Sequence, residues 1–378
     1  MTQEVFRGGQ GARSSTCFSA WMALAVLPLG VVAVGGVAGC GADETAAMAV
    51  AGGGAGGADA GAVGAAGGSG GTGAAGAAAG AGGAPLGPPY PIVLAHGFFG
   101  FEDFAGADFI NYFCGVKDFL AVEGESEVFT PAVDPFNYSE YRGAQLAEHV
   151  RQILIQTGRA KVNLIGHSQG GLDARVVAHD HPEWVASVVT VATPHRGSVI
   201  ADIALGLVVD PHLDAVLDFF VKSTGQSIWD GAGNETALAA SAHQLSTAEA
   251  AAFNELYPDA AGVPYWSIGG RSNLHVGGLP CAADMPAFIS AWTSTLDPID
   301  PMMVTTGAIL SGTELVPAPN DGLVTVESAQ WASFLGCVPA DHFDEMGQIL
   351  GDEPGLGNEW DHRQFYADLI AWLRARGL

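Results

Sequence analysis

Short apolar runs alternate with longer amphipathic stretches between residues 90 and 192. The apolar runs have the length and the β-branched content of buried strands, and they lie at 90–95, 127–131, 161–165 and 186–192. Between them, 142–158 carries Leu146, Val150 and Ile153 on one helical face. Helices are also predicted near 109–122 and over 172–179. Alternating strands and helices predict an α/β fold with a mostly parallel sheet and helices on both faces.

The strand pattern stops between residues 199 and 257. A long apolar stretch at 203–220 fits either ordinary core helices or a helical lid over an apolar pocket. Strands resume at 265–268 and, after the Asn-Asp-Gly turn, at 323–326, and an amphipathic helix over 360–373 closes the chain. The complete pattern predicts a sheet of about six strands.

The first 39 residues have a different character. A charge-free run between Arg13 and Asp43 contains a strongly apolar segment, as in a secretory signal. The run ends in Val-Ala-Gly-Cys at 37–40, which resembles the lipobox of bacterial lipoproteins. This resemblance implies that 1–39 is a lipoprotein-type signal peptide and that Cys40 is acylated. An ordinary cleaved signal and a retained transmembrane span are the alternatives.

Glycine and alanine make up almost all of residues 46–84. Such a segment has little side-chain area to bury and loses much entropy on ordering, so 40–84 is predicted to be a disordered tether. The folded domain is then 85–378, with the candidate lid region at about 199–257. We expect an exported protein, lipid-anchored to the bacterial outer membrane or cell surface, with secretion as the alternative.

The formal net charge is −26. Such a surface repels phosphate backbones, which argues against nucleic acid as a partner. The five cysteines form no Cys-x-x-Cys pair, which argues against a zinc or redox motif.

Gly-His-Ser-Gln-Gly at 166–170 fits the nucleophile elbow of the α/β-hydrolase fold. The tether matches the same Gly-x-Ser-x-Gly spacing at 67–71, so the spacing alone decides nothing. Context separates the two, because 166–170 follows a predicted strand and opens a predicted helix. Ser168 is therefore the candidate nucleophile.

A serine nucleophile needs a base and an orienting acid, which follow it in the order acid and then histidine in this fold. His342, in a loop after the last predicted strand, is the candidate base, with His362 as the alternative. Asp321, in the Asn-Asp-Gly turn, is the candidate acid. Asp300 and Asp341 are the other candidates for that role.

The oxyanion hole needs two preset N–H donors. Gln169, directly after the nucleophile, should supply one of them. Phe98, in the loop after the first predicted strand, should supply the other.

Five motifs together resemble the true triacylglycerol lipases of Pseudomonas and Burkholderia. They are Tyr-Pro-Ile-Val-Leu-Ala-His-Gly from 90, Arg-Gly-Ala-Gln-Leu from 142, Val-Asn-Leu-Ile-Gly-His-Ser-Gln-Gly-Gly from 162, Asn-Asp-Gly-Leu-Val from 320 and His-Phe-Asp-Glu from 342. The resemblance implies the same triad and oxyanion donors, a helical lid, and a position for Arg142 beside the oxyanion loop. Members of that family often need a dedicated membrane-bound foldase, and the sequence leaves this partner open.

The resemblance also implies a structural Ca²⁺ site. Asp297 and Asp344 match its two aspartates, and Gln348 and Asp352 match its carbonyl ligands, all of which are hard oxygen donors.

The family has a cysteine shortly after the Asn-Asp-Gly turn, where this chain has Glu327. Cys337 is then the candidate disulfide partner of Cys281, which leaves Cys114 free.

The leading interpretation is a lipase that hydrolyses carboxylic ester bonds of acylglycerols at a lipid–water interface, as a monomer. An esterase or polyester depolymerase with the same triad is the alternative enzyme. A surface-anchored, non-catalytic binding protein is the alternative from another class.

Overall fold

A parallel six-stranded sheet is the centre of the computed structural model, which describes residues 84–98, 112–206, 235–273, 281, 285–313, 316–348 and 354–378. Within these residues the strand order is β2-β1-β3-β4-β5-β6. The strands are β1 (Ile92–Ala95), β2 (Val128–Phe129), β3 (Val162–His167), β4 (Val185–Val191), β5 (Tyr265–Gly270) and β6 (Ser333–Val338). Every pairing is parallel, as the predicted α/β pattern requires.

Helices cover both faces of the sheet, and their bounds follow the predicted ones closely where the apolar pattern is strong. They are α1 (Val116–Val122), α2 (Ser139–Thr157), α3 (Gln169–Asp180), α4 (Val199–Ala204), α5 (Glu235–Gln244), α6 (Thr247–Leu256), α7 (Ala287–Ser290), α8 (Val304–Ser311), α9 (Val326–Ala329) and α10 (His362–Arg374). Among them, no helix is both long enough and apolar enough to cross a membrane.

Two apolar clusters hold the layers together. One packs α1 and α10 on one side of the sheet, with Leu120, Tyr366 and Leu369 fully buried. The other packs α2 and α3 on the opposite side, around Val150 and Val177. Since both faces are covered, β3 and β4 are buried along their whole length, which explains why most of their residues are apolar.

The predicted strand at 323–326 is wrong. The last strand of the sheet is β6, and 323–326 forms a turn that leads into α9. The backbone N–H groups of Leu323 and Val324 donate to the Asp321 carboxylate instead of to a neighbouring strand. Thr325 then caps α9 by accepting from Ser328 N. Apolar side chains alone suggested a strand, but the backbone donors are already used.

Several predictions concern residues outside the described ones. These are the signal peptide at 1–39, the acylated Cys40 and nearly all of the tether. Of the predicted lid region, 207–234 also lies outside the described residues. Its flanks are the helices α4, α5 and α6, and the helical lid itself stays a prediction.

Candidate active site

Ser168 lies at the sharp turn between β3 and α3. Its backbone has φ 54° and ψ −130°, a conformation that residues other than glycine rarely adopt. Its N–H donates to Val191 O at 2.9 Å, which ties the turn to β4. A Cβ at Gly170 would overlap the carbonyl oxygen of Ala95, so this approach of helix to strand requires glycine. The Gly-x-Ser-x-Gly spacing is therefore a packing requirement of the elbow.

His342 and Asp321 form a buried pair in the turn and loop that flank α9 and β6. His342 Nδ1 lies 2.8 Å from Asp321 Oδ2. The pair is also joined through the backbone, since His342 N donates to Asp321 O at 2.9 Å. Asp321 Oδ1 accepts from Leu323 N at 2.8 Å and from Val324 N at 2.6 Å. The carboxylate orientation is thus set by three N–H donors.

Arg142 holds the loop that leads to Phe98. Its guanidinium donates to His96 O at 2.6 Å and to Gly97 O at 3.2 Å, and it pairs with Asp173 at 2.8 Å. Arg142 therefore lies beside this loop, as the resemblance implied.

His96 adds a second contact to the same loop. Val133 N donates to its Nε2 at 3.0 Å, so Nδ1 carries the proton and donates to Gly97 O at 2.9 Å. Burial, together with the neighbouring Arg142 charge, lowers the pKa of His96 to about 3, which keeps the ring neutral. A neutral ring can make both contacts at once.

Gln169 is the first residue of α3. The first N–H groups of a helix have no intrahelical acceptor. Its N–H therefore lies next to Ser168 at the positive end of the helix, where a developing negative charge is stabilised.

Ser168 and His342 line the same cavity. The other lining residues are mostly apolar: Phe98, Tyr112, Pro194, Ser198, Ile200, Ala201, Leu245, Leu323, Val324, Phe343 and Met346. A nucleophile and an imidazole at the wall of an apolar cavity can act on an ester that carries an apolar acyl group.

Known proteins resemble this chain in sequence. The model of the alpha/beta hydrolase fold matches residues 90–228. A triacylglycerol lipase of Vibrio cholerae serotype O1 is 36% identical over 271 residues, which is 69% of this chain and 81% of that protein. One from Burkholderia plantarii is 32% identical over 291 residues, covering 69% and 80%. The chain belongs to the triacylglycerol lipases.

Solved structures agree on the fold. EstA from Clostridium botulinum has a TM-score of 0.53 at 18% identity, over 76% of this chain and 87% of that one. With the sequence relatives, this confirms the predicted α/β-hydrolase fold and the family to which the five motifs pointed.

The structure separates the candidates that the sequence left open. His362 is the first residue of α10, and its Nε2 lies 2.8 Å from Cys114 O, in a packing contact. Asp341 and Asp300 are hydrogen-bonded to each other, with Asp300 N donating to Asp341 Oδ2 at 3.0 Å. Asp321 is the carboxylate that contacts His342, so the geometry favours Asp321 and His342 over the alternatives.

Three aspartates, Asp297, Asp341 and Asp344, gather beside the His342 loop. One oxygen from each lies within 4.8 Å of the others, and all three residues are buried. Among the described residues, Asp297 Oδ2 and Asp344 Oδ1 are buried and have no hydrogen-bond partner. Burial and the neighbouring carboxylates raise the pKa of Asp344 to about 10. Unmatched carboxylate oxygens of this kind fit a Ca²⁺ ion, which takes hard oxygen ligands.

Sequence reasoning predicted Asp297 and Asp344 as metal ligands and did not place Asp341 beside them. Gln348 is nearby in the chain, and its Nε2 donates to Tyr112 O at 3.1 Å. Asp352 lies outside the described residues.

Sequence reasoning also missed three buried polar side chains that are hydrogen-bonded in a row next to Ser168. Tyr112 Oη lies 2.7 Å from His167 Nδ1, and His167 Nε2 lies 2.8 Å from Glu345 Oε2. Burial, followed by the Asp321 charge, raises the pKa of Glu345 well above its usual value. The run of acidic residues at 341–345 was the available signal, but nothing local shows that Glu345 turns inward.

A disulfide joins Cys281 to Cys337, as predicted, with the Cα atoms 5.6 Å apart. The expectation that Cys114 is free is wrong, because Cys114 is disulfide-bonded as well. Spacing along the chain does not reveal which cysteines meet, since that depends on the folded positions of their Cα atoms.

Proposed function

We propose that the chain hydrolyses the ester bonds of acylglycerols through an acyl-enzyme formed on Ser168. His342 is the general base and Asp321 the orienting acid. The observation that carries the proposal is the buried Asp321–His342 pair, with His342 and Ser168 in the wall of the same apolar cavity.

The pair fixes the tautomer of the base. Asp321 is an acceptor, so His342 Nδ1 keeps its proton and donates it to Oδ2. Nε2 is then the atom that accepts the Ser168 hydroxyl proton as Oγ bonds to the ester carbonyl carbon. The same proton passes to the leaving alcohol, and a water molecule repeats the sequence to release the fatty acid. Asp321 stabilises the imidazolium that forms.

The negative charge on the carbonyl oxygen is received by the N–H groups of Phe98 and Gln169. Arg142 and His96 hold the first donor by binding the carbonyl oxygens of its loop. The helix α3 holds the second. Donors set in place before reaction stabilise the tetrahedral intermediate without the cost of reorganising solvent.

The apolar lining supports an acylglycerol rather than a polar ester. Each methylene that leaves water contributes about 0.8 kcal/mol to binding. The relatives are named triacylglycerol lipases. We therefore propose a lipid ester at a lipid–water interface as the substrate, and a monomer as the working form. Dependence on a foldase is tested by expressing the chain alone.

We also propose a structural Ca²⁺ ion. Asp297 and Asp344 would hold it, together with the carbonyl oxygens of Gln348 and Asp352, and Asp341 would orient Asp344. Asp341 Oδ1 accepts from the N–H of Asp344 at 3.1 Å. The ion would supply the charge that the buried carboxylates need and would tie the His342 loop to the segment of Asp297.

For localisation we propose export and a lipid anchor on Cys40. The apolar, charge-free run and the Val-Ala-Gly-Cys motif support it. Mass spectrometry of the mature N-terminus tests it, since an acylated Cys40 is expected and an unmodified N-terminus elsewhere contradicts the anchor.

Alanine variants test the chemistry. Ser168→Ala and His342→Ala should each lower kcat on a soluble ester by at least about 10⁴-fold, because the triad acts as a unit. His362→Ala is the matched control and should keep kcat while losing stability. Retention of a tenth of the activity by Ser168→Ala would refute the proposal. A chain-length series from soluble esters to emulsified triglycerides, with a polyester film, then separates lipase from esterase and depolymerase.

A further inference from the structure

The helix α5 makes a buried polar contact with the residue that follows the nucleophile. Ser241 Oγ donates to Gln169 Oε1 at 3.3 Å, and Gln169 Nε2 donates to Asn137 O at 2.9 Å. Ser241 and Gln169 are both 0% exposed. The Gln169 side chain therefore bridges α5 to the residues just before α2, while its own backbone begins α3.

A second contact from α5 reaches the first turn of α2. Gln244 lies three residues after Ser241, which places both side chains on one face of the helix. Gln244 Oε1 accepts from Ser139 N at 2.6 Å, and its Nε2 donates to the Glu140 carboxylate. The α5 helix is thus joined by hydrogen bonds to the start of α2 and to the start of α3.

These two helix starts hold the two proposed oxyanion donors. Arg142, in the first turn of α2, binds the carbonyl oxygens of His96 and Gly97. In a planar trans peptide the C=O and the following N–H point in opposite directions. Fixing Gly97 O therefore fixes the direction of the Phe98 N–H. Gln169 carries the other donor on its own backbone.

We infer that α5 positions the oxyanion hole, with Ser241 and Gln244 as the positioning residues. The inference rests on the proposed function, because it takes Phe98 and Gln169 as the donors. Neither Ser241 nor Gln244 lines the cavity that holds Ser168 and His342. They act through Gln169 and through the first turn of α2.

The physical reason is the cost of an unmet buried acceptor. Without the Ser241 hydroxyl, Gln169 Oε1 stays buried and loses a donor, so the side chain shifts to find another partner. The shift moves the first residue of α3 and its N–H. Complete loss of one oxyanion donor lowers kcat by about 10² to 10³, and a displaced donor should cost less.

The experiment compares Ser241→Ala with Ser246→Ala in the full chain. Both remove a buried serine hydroxyl, but Ser246 caps α6 by accepting from Glu249 N. Ser241→Ala should lower kcat on a short soluble ester by about tenfold with KM within about twofold. It should weaken inhibition by an aryl boronic acid, a mimic of the tetrahedral intermediate, by the same factor. Ser246→Ala should lower Tm and leave kcat and boronate inhibition unchanged.

Two more variants keep the inference testable if Ser241→Ala folds poorly. Ser241→Thr keeps the hydroxyl and should restore kcat. Gln169→Met keeps the backbone N–H, removes the bridge, and should reproduce the loss in kcat and in boronate affinity. The double variant Ser241→Ala with Gln169→Met should be no worse than Gln169→Met alone, because both break one connection.

Different outcomes would contradict the role of α5 and the proposed function. Wild-type kcat and boronate affinity in Ser241→Ala and in Gln169→Met, with only Tm lowered, would reduce α5 to a packing element and overturn the inference. Persistent hydrolysis by Ser168→Ala would overturn the proposed function itself.

Discussion

Two sides of the site bury charge differently. The nucleophile side is built by α2, β3, α3 and the loop after β4, and the acid side by β5, β6, the 339–348 loop and the turns that carry Asp297 and Asp321. On the nucleophile side, buried arginines face acceptors. Arg142 pairs with Asp173 at 2.8 Å, and Arg175 donates to Asn254 Oδ1 at 2.7 Å and to Tyr257 O at 2.8 Å. Arg175 also lies 3.8 Å from the centre of the Trp331 ring.

On the acid side, carboxylates meet one another. Asp297, Asp341 and Asp344 converge, and Asp297 and Asp344 each keep an oxygen without a hydrogen bond. Burying like charges is unfavourable unless protons or a cation join them. The comparison teaches that the nucleophile side places buried cations against protein acceptors, whereas the acid side gathers carboxylates of like charge, the arrangement that the proposed Ca²⁺ would neutralise.

Asp321 also lies on the acid side, and each of its oxygens has a donor. Replacing it tests whether it orients His342. Asp321→Asn should lower kcat by about 10⁴ while Tm changes little, because an amide at Oδ2 leaves His342 in the wrong tautomer.

Asp361→Asn is the control for the same substitution. Asp361 caps α10, and asparagine caps equally well, so kcat should stay at the wild-type value. Activity of Asp321→Asn within tenfold of wild type would assign the orienting role to another carboxylate.

Removal of Ca²⁺ by a chelator should destabilise the acid side and leave the nucleophile side unchanged. Saturating Ca²⁺ at about 100 times Kd stabilises the folded state by about 2.7 kcal/mol, which is about 5–10 °C in Tm for a domain of this size. EDTA should remove this stabilisation, and Asp344→Asn should melt at one temperature with or without Ca²⁺.

Hydrogen exchange locates the effect. After chelation, exchange should speed up in β6 and the 339–348 loop and stay slow in α3. Equal melting curves for the wild-type chain with and without Ca²⁺ would mean that the carboxylates are neutralised by protons alone.

The smallest expected effect is a loss of folding stability at acid pH, caused by His195 on the nucleophile side. Burial, followed by the Arg175 and Arg196 charges, lowers the pKa of His195 well below 6.5. The unfolded chain then binds a proton below about pH 6.5 that the folded chain does not bind. The stability from neutral His195 is present above that pH and is lost as the pH falls, by about 1.4 kcal/mol per unit.

His195→Gln isolates this effect from other titrating groups. Urea unfolding between pH 5 and 7 should show that the wild-type chain loses more stability with acid than the variant does. Parallel pH dependence in the two proteins would contradict a neutral, buried His195.

The sequence by itself determined the fold and the position of Ser168 at the turn between β3 and α3. Five of the six strands were predictable, because a strand covered on both faces is mostly apolar. The elbow was predictable because only glycine lets α3 approach β1 so closely, and that requirement appears as Gly-x-Ser-x-Gly after an apolar run. Cys281 and Cys337, by contrast, were paired correctly through the resemblance, while Cys114 was wrongly left free.

Tertiary structure decided what local pattern does not encode. Residues 323–326 look like a strand, but the N–H groups of Leu323 and Val324 donate to the Asp321 carboxylate, and the last strand is β6. The inward turn of Glu345, the place of Asp341 among the aspartates and the contact of Ser241 with Gln169 also appear only in three dimensions. Local sequence predicts the burial of apolar side chains, whereas the burial of a polar side chain such as Glu345 depends on partners far along the chain, here His167.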